Sequence, residues 1–211
     1  MKKIVLVAIL LAGFISKADE GMYVPFKLKD YYKDMKNAGL KMSYKKIYNV
    51  DKPSVKDAIV SLGGFCTAEI ISPKGLMLTN HHCGFDAIAE NSTPENDYLT
   101  DGFWAYELEQ EKPIEGLTAS IVVRIDDVTA QINDRLRDDM DADTRALTIK
   151  QMSEELVKSA TEGTHYTAYV KSFYEGNEFY LFLNEVFTDV RLVGAPPSSI
   201  GKYGGDTDNW M

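Results

Sequence analysis

The sequence predicts a mainly β chain with inserted helices, an α+β fold of the barrel or sandwich class. Short runs rich in apolar, β-branched and aromatic residues recur between turn residues, at 68–71, 76–78, 117–125, 166–170, 179–183 and 186–193. Between 127 and 163 the apolar period changes to three and four residues, the mark of one-sided helices. The composition, 45% hydrophobic and 11% aromatic, is that of a chain with a core to bury. A net charge of -9 with no compensating basic cluster argues against nucleic acid as a partner.

The chain opens on Met1-Lys2-Lys3, a short positive segment. An apolar stretch from Ile4 to Ile15 follows, then Ser16-Lys17-Ala18. This is the pattern of a secretory signal peptide over residues 1–18, cut before Asp19. The apolar stretch is short of the about 20 residues a membrane span needs, and nothing after it reads as membrane-spanning. The expected location is periplasmic or secreted, with no membrane contact once the signal is removed.

Residues 19–27 read as an extended arm. Leu28, Tyr31, Tyr32, Met35 and Ala38 lie on one face of a helix that Gly39 ends. Ser54 caps a turn or strand running to Leu62, Gly63-Gly64 bends the chain, and Cys83 to Ala89 reads as one helical turn or two. Residues 117–125 form the best strand of the sequence. Val128, Ile132, Leu136 and Met140 repeat every four residues and predict one helix. Ala146, Ile149, Met152, Leu156 and Ala160 predict a second, with acidic residues at the N-termini of both, where the helix dipole favours them. These Met and Leu stripes read as packing faces. The turn at 175–178 offers Gly176 or Asn177 for a positive φ. Ala195-Pro196-Pro197 breaks the last strand, and a glycine-rich tail follows.

The chemistry gathers between Cys66 and Cys83, CTAEIISPKGLMLTNHHC. Two apolar runs flank Pro73-Lys74-Gly75, so the stretch reads as a β-hairpin delivering His81 and His82 to a loop. In an oxidising compartment, two cysteines at the ends of a hairpin are most simply a disulfide. Closing a loop of this size stabilises by about 3 kcal/mol. His82, directly before Cys83, has the better anchored backbone and suits general-base work. The alternative is that both histidines are ordinary surface or core residues. A zinc site of Cys66, His81, His82 and Cys83 is disfavoured, because three consecutive residues do not readily converge on one tetrahedral centre; neither metal nor cofactor is expected. Asp206 and Asp208 form a D-x-D in the tail, fit for a cation or a turn. No Gly-x-Ser-Gly run supplies a nucleophile, and Ser198-Ser199 follows two prolines with nothing like an oxyanion turn beside it.

The run GGFCTAEIISPKGLMLTNHHCGFDAI resembles the bacterial dipeptidyl-peptidase family that includes dipeptidyl-peptidases 7 and 11. The likeness continues through Asn96-Asp97-Tyr98-Leu99, Gly102-Phe103-Trp104-Ala105 and Glu111-Lys112-Pro113, and ends in IGKYGGDTDNWM. The resemblance implies serine exopeptidases on a chymotrypsin-like (trypsin-like) double β-barrel, which release dipeptides from the free N-terminus of peptides. It implies that His82 deprotonates the serine and later protonates the leaving amine. Cys66 and Cys83 match the pair that brackets the histidine. Asn209 and Trp210 match residues that hold the substrate's α-ammonium group, chemistry an amide carbonyl and an aromatic face can supply. Full-length relatives are expected as homodimers. They are much longer than this chain, with the triad acid placed after the tryptophan and the serine far downstream. Residues 19–211 are therefore expected to be the N-terminal part of the catalytic domain, with a helical insertion near 127–163, carrying one triad member and inactive alone. The alternative from another class is a non-catalytic peptide-binding or remnant protein.

Overall fold

Six strands, five of them at runs that the sequence marks as strands and the sixth, 59–62, where it leaves turn or strand open, pair into one antiparallel sheet. The structure, a computed structural model, describes residues 23–201. In chain order the strands are β1 (Ile59–Leu62), β2 (Cys66–Ile70), β3 (Met77–Thr79), β4 (Phe103–Trp104), β5 (Lys112–Pro113), β6 (Ala119–Asp127), β7 (Thr167–Phe173), β8 (Glu178–Phe187), β9 (Arg191–Leu192) and β10 (Gly194–Ala195). The main sheet has the order β3-β2-β1-β6-β8-β7, and two further pairs, β4 with β10 and β5 with β9, stand beside it. The sheet does not close on itself: β3 and β7 are its edges. The barrel expected from the strand pattern is therefore an open sheet among the described residues.

The helices are α1 (Leu28–Asn37), α2 (Tyr44–Ile47), α3 (His81–Glu90), α4 (Tyr98–Asp101), α5 (Thr129–Asn133), α6 (Ala142–Thr161) and α7 (Ser198–Gly201). The chain divides between Tyr48 and Asn49 into two units. In the first, residues 25–27 form a 3-10 turn rather than an extended arm, and α1 follows. Leu40 N–H donates to Met35 and Gly39 N–H to Lys36, at 2.9 and 3.0 Å, which closes the helix as a Schellman motif. Gly39 takes the required positive φ of 109°.

In the second unit, Ser54 and Asp57 form a reciprocal capping box that starts a 3-10 turn ahead of β1. Burial opposes ionisation of the Asp57 carboxyl. Hydrogen bonds from Lys56 and Ser54 outweigh it and hold the group below the usual carboxylate range. Val60, Leu62, Ala68 and Ala119 then build one core at the β1–β2 end of the sheet.

A second core lies at the other end. Phe179, Leu181 and Leu183 of β8 and Ala168 and Val170 of β7 meet Ile149, Met152, Leu156 and Ala160 of α6. These are the α6 positions whose 3–4 spacing predicts a packing face. Asp141 caps that helix by accepting from Thr144 N–H at 2.7 Å. The preceding apolar repeat is a helix only over Thr129–Asn133, not through Met140. The intervening DRLRDDMD run is rich in aspartate, whose side chains compete with the helical backbone. Arg137 pairs with Asp139 at 2.9 Å, two residues apart, an arrangement that no helical surface presents.

The stretch expected as strands 179–183 and 186–193 also differs. One ten-residue strand, β8, absorbs Asn184, whose buried amide donates to Phe182 O at 3.3 Å. β9 and β10 then leave the sheet separately. The β7–β8 turn uses three positive-φ residues, Tyr174, Glu175 and Gly176, whereas Asn177 keeps a negative φ. The Asn177 side chain instead donates to Tyr174 O at 2.7 Å and closes the turn.

Phe179, only 1% exposed, anchors the second core, while Leu147 on the outer side of α6 is 55% exposed. Phe179→Ala is expected to cost about 3–5 kcal/mol by leaving a cavity, and Leu147→Ala less than about 0.5 kcal/mol. Urea unfolding of the two variants checks this; equal midpoints would place the core elsewhere.

Candidate active site

β2 and β3 pair with Ala68 opposite Thr79 and Ile70 opposite Met77. Ser72 Oγ accepts from Lys74 N–H and Leu76 N–H at 3.2 and 3.1 Å, and Gly75 takes a φ of 81°. This is the predicted hairpin. The chain leaves β3 differently from the expectation, because the two histidines do not sit in a loop. They are the first two residues of α3, and Asn80 O accepts from Cys83 N–H at 3.0 Å. The helical start is favoured by burial. Cys83, Ala87 and Ile88 lie inward at helical spacing, while His82, Asp86 and Glu90 fall four residues apart on the exposed side.

Cys66, the first residue of β2, and Cys83, in the first turn of α3, form a disulfide with a Cα–Cα distance of 6.0 Å. His82 lies against it: its ring nitrogen and the two sulfurs are all within 4.8 Å of one another. Grouped histidine and cysteine side chains of this kind also suggest a metal site. Here both sulfurs are oxidised, so neither is the thiolate that zinc requires.

His81 faces the other way. Its ring packs edge-on to Phe85 at 6.1 Å, and both ring nitrogens are buried. One residue of helical rotation therefore separates a packed histidine from an exposed one.

A third core supports α3 from below, formed by Ile88, Leu192 and Ala195 with Tyr98, Leu99, Phe103 and Ile114 around them. Asp97 caps α4 by accepting from Thr100 Oγ1 at 2.6 Å and from Thr100 and Leu99 N–H at 3.1 Å, which holds its carboxyl below the usual range. The segment 194–201 then passes over this region, and three glycines allow the contact. A Cβ on Gly102, which has a φ of 81°, would lie 2.9 Å from Ala195 O. One on Gly194 would lie 2.5 Å from the Trp104 ring, and one on Gly201 would overlap the His81 ring, 2.7 Å from Cγ. Sequence reasoning missed these contacts: Gly201 read as part of a glycine-rich tail, and residue order alone does not bring Gly102 to Ala195 or Gly194 to Trp104. The Ser198 hydroxyl is buried within this segment, which removes it as an accessible nucleophile. Asp206, Asp208, Asn209, Trp210 and residues 1–18 lie outside the described residues.

Comparison with known proteins was informative over nearly the whole chain. The peptidase S46 family matches residues 18–211. The chain is 47% identical over 192 residues to the Asp/Glu-specific dipeptidyl-peptidase of Flavobacterium psychrophilum, covering 90% of this chain and 27% of that protein. It is 45% identical over 217 residues to dipeptidyl-peptidase 7 of Phocaeicola vulgatus, covering 99% of this chain and 30% of that one. Among solved structures, Porphyromonas endodontalis DPP11 in complex with the dipeptide Arg-Asp superposes with a TM-score of 0.80 at 42% identity, covering 92% of this chain and 28% of that one. The same enzyme in complex with Arg-Glu gives 0.78 at 40% identity, with the same coverage. The chain thus spans less than a third of the length of these relatives.

The disulfide is the covalent tie between sheet and α3. Cys66→Ser/Cys83→Ser is expected to cost about 2–5 kcal/mol. Amide exchange should quicken most in the first turn of α3. Uniform exchange throughout the chain would mean that the bridge does not hold the helix locally.

Proposed function

Because the chain belongs to the peptidase S46 family, we propose that it supplies the general-base histidine and part of the amine-binding site of an exported serine dipeptidyl-peptidase. The observation that carries this reading is the placement of His82. It is exposed on the first turn of a helix tied by a disulfide to the sheet, with its neighbour His81 committed to packing. A base held in this way can be aimed at a hydroxyl without losing orientation to backbone motion.

In the proposed reaction, His82 takes the proton of the attacking serine as the hydroxyl adds to the peptide carbonyl, and returns it to the leaving amine. Asn209 accepts a hydrogen bond from the substrate's α-ammonium, and Trp210 offers it an aromatic face. Gripping the free terminus limits cleavage to the release of dipeptides. By the family resemblance, the acid that orients His82 and the serine itself lie in the part of the relatives that these residues do not cover. The open six-stranded sheet is then part of a chymotrypsin-like double β-barrel, and the 211 residues alone are catalytically silent. Export through a cleaved signal over residues 1–18 fits a disulfide beside the base, since the bond persists in oxidising compartments. Relatives named Asp/Glu-specific and relatives named dipeptidyl-peptidase 7 match at similar identity, 47% and 45%, so this stretch does not choose between their preferences.

A second reading is a peptide-binding protein that keeps Asn209 and Trp210 for the substrate's amine and uses His82 in no reaction. One set of measurements separates them. The purified chain is expected to show no turnover of a chromogenic dipeptidyl substrate; turnover abolished by His82→Ala would overturn the assignment of silence. Peptides with a free N-terminus are expected to bind about tenfold or more tightly than their N-acetylated forms, the scale of a lost cation–π contact together with a charged hydrogen bond. Trp210→Ala should shrink that ratio, and equal affinities in the parent chain would remove the amine site.

A further inference from the structure

We propose that His81 is a positioning residue whose ring, seated on Gly201 and against Phe85, keys the helix bearing His82 to the segment that leads into Asn209 and Trp210. The inference rests on the reading of His82 and the amine site given above, and adds a residue to it.

Three observations converge. The first is the helical phase of α3. The half-buried His81 and Phe85 and the buried Ile88 recur at i, i+4, i+7 along one side of the helix, and that row ends in the third core. His81 is thus the first rung of the face that seats the helix, and rotation of that face would swing His82 with it.

The second is the closeness of Gly201. A methyl there would overlap the ring, 2.7 Å from Cγ and 2.9 Å from Nε2, so only glycine lets α7 approach His81 this closely. The backbone at 201 is the floor on which the imidazole rests. Shape decides this contact, since no other side chain fits at that position.

The third is how the segment is held upstream. Gly102 lies flush against Ala195 and Pro197, Gly194 sits beneath the Trp104 ring, and Pro197 O accepts from Ile200 and Gly201 N–H at 2.8 and 2.9 Å. The segment is thereby fixed at both ends, and its last fixed point is His81. The base and the start of the amine-binding tail then share one reference, which a chain needs if the peptide terminus and the scissile carbonyl are to be registered together.

The test is a double-mutant cycle on the full chain. Gly201→Ala and His81→Ala are each expected to lower the melting temperature, Gly201→Ala by roughly 2–12 °C from overpacking. In His81→Ala/Gly201→Ala the added methyl falls in the space the ring has left, so the double variant should be no less stable than His81→Ala alone. The readout that a purely structural role would not move is the Cε1–Hε1 resonance of His82, which should shift in each single variant and return toward the parent position in the double. Additive losses of stability, or a His82 resonance unmoved by both single changes, would overturn the proposal. Should Gly201→Ala fail to fold, a folded double variant supports the proposal and an unfolded one refutes it. If free and acetylated peptides bind the parent chain equally, the amine-site reading fails by itself, while the cycle still decides whether His81 positions His82.

Discussion

The bond between Cys66 and Cys83 is the constraint on which the site depends. It joins the first residue of a strand in the middle of the sheet to the third residue of a helix. A helix of ten residues is marginal by itself in water. Here one end is fixed covalently and the other is carried down into the third core by Ile88. Those two attachments leave the helix one rotational phase. That phase decides which histidine faces solvent, because neighbouring residues on a helix are about 100° apart. A rotation of about 100° would bring His81 to the direction that His82 now holds.

The sheet supplies the fixed end. Cys66 is paired with Leu62 of β1, and β2 is paired with β3 from Ala68 to Ile70, so the strand that carries Cys66 is held from both sides just beyond it. β1 is paired in turn with β6, the longest strand after β8, and that ladder runs into the second core under α6. The helices far from the site therefore matter to it through strand registry rather than through contact. A one-residue slip between β1 and β2 would turn Ala68 out of its core and carry Cys66 to the opposite face.

Much of this was readable from residue order. The 3–4 spacing of Ile149, Met152, Leu156 and Ala160 marks a real packing face, and Pro73-Lys74-Gly75 marks a real hairpin turn. What the sequence concealed depends on tertiary burial. A helical turn or two over Cys83–Ala89 is readable, but nothing in His81-His82 marks the start of the helix there, and its seating depends on Ile88 packing against Leu192 and Ala195, far later in the chain. The opposite error occurs at Leu136 and Met140, where apolar spacing suggests a helix that aspartate-rich intervals do not sustain. The glycines at 102, 194 and 201 were invisible as a set. Each looks like an ordinary turn residue until the segment that presses on it is placed.

On the face of β7 and β8 turned away from α6, aromatic residues pack against one another. Tyr169 stacks on Phe182 with ring centroids 5.0 Å apart, and Phe173 meets Tyr180 edge-on at 5.2 Å. Tyr180 is fully buried and its hydroxyl donates to Glu178. Such cross-strand pairs contribute about 0.2–1 kcal/mol each, and partial burial pushes the Tyr169 hydroxyl above its ordinary pKa. β7 is nonetheless an edge, and its Lys171 is the kind of charge that discourages further strand addition there. β3, the other edge, is only three residues long and presents little ladder to extend. The two ends of the sheet thus meet the same hazard by different means, charge and aromatic cover at one and brevity at the other. The short edge is also the strand that hands the chain to His81 and His82, so the feature that limits pairing at β3 places the start of the helix directly beside the disulfide.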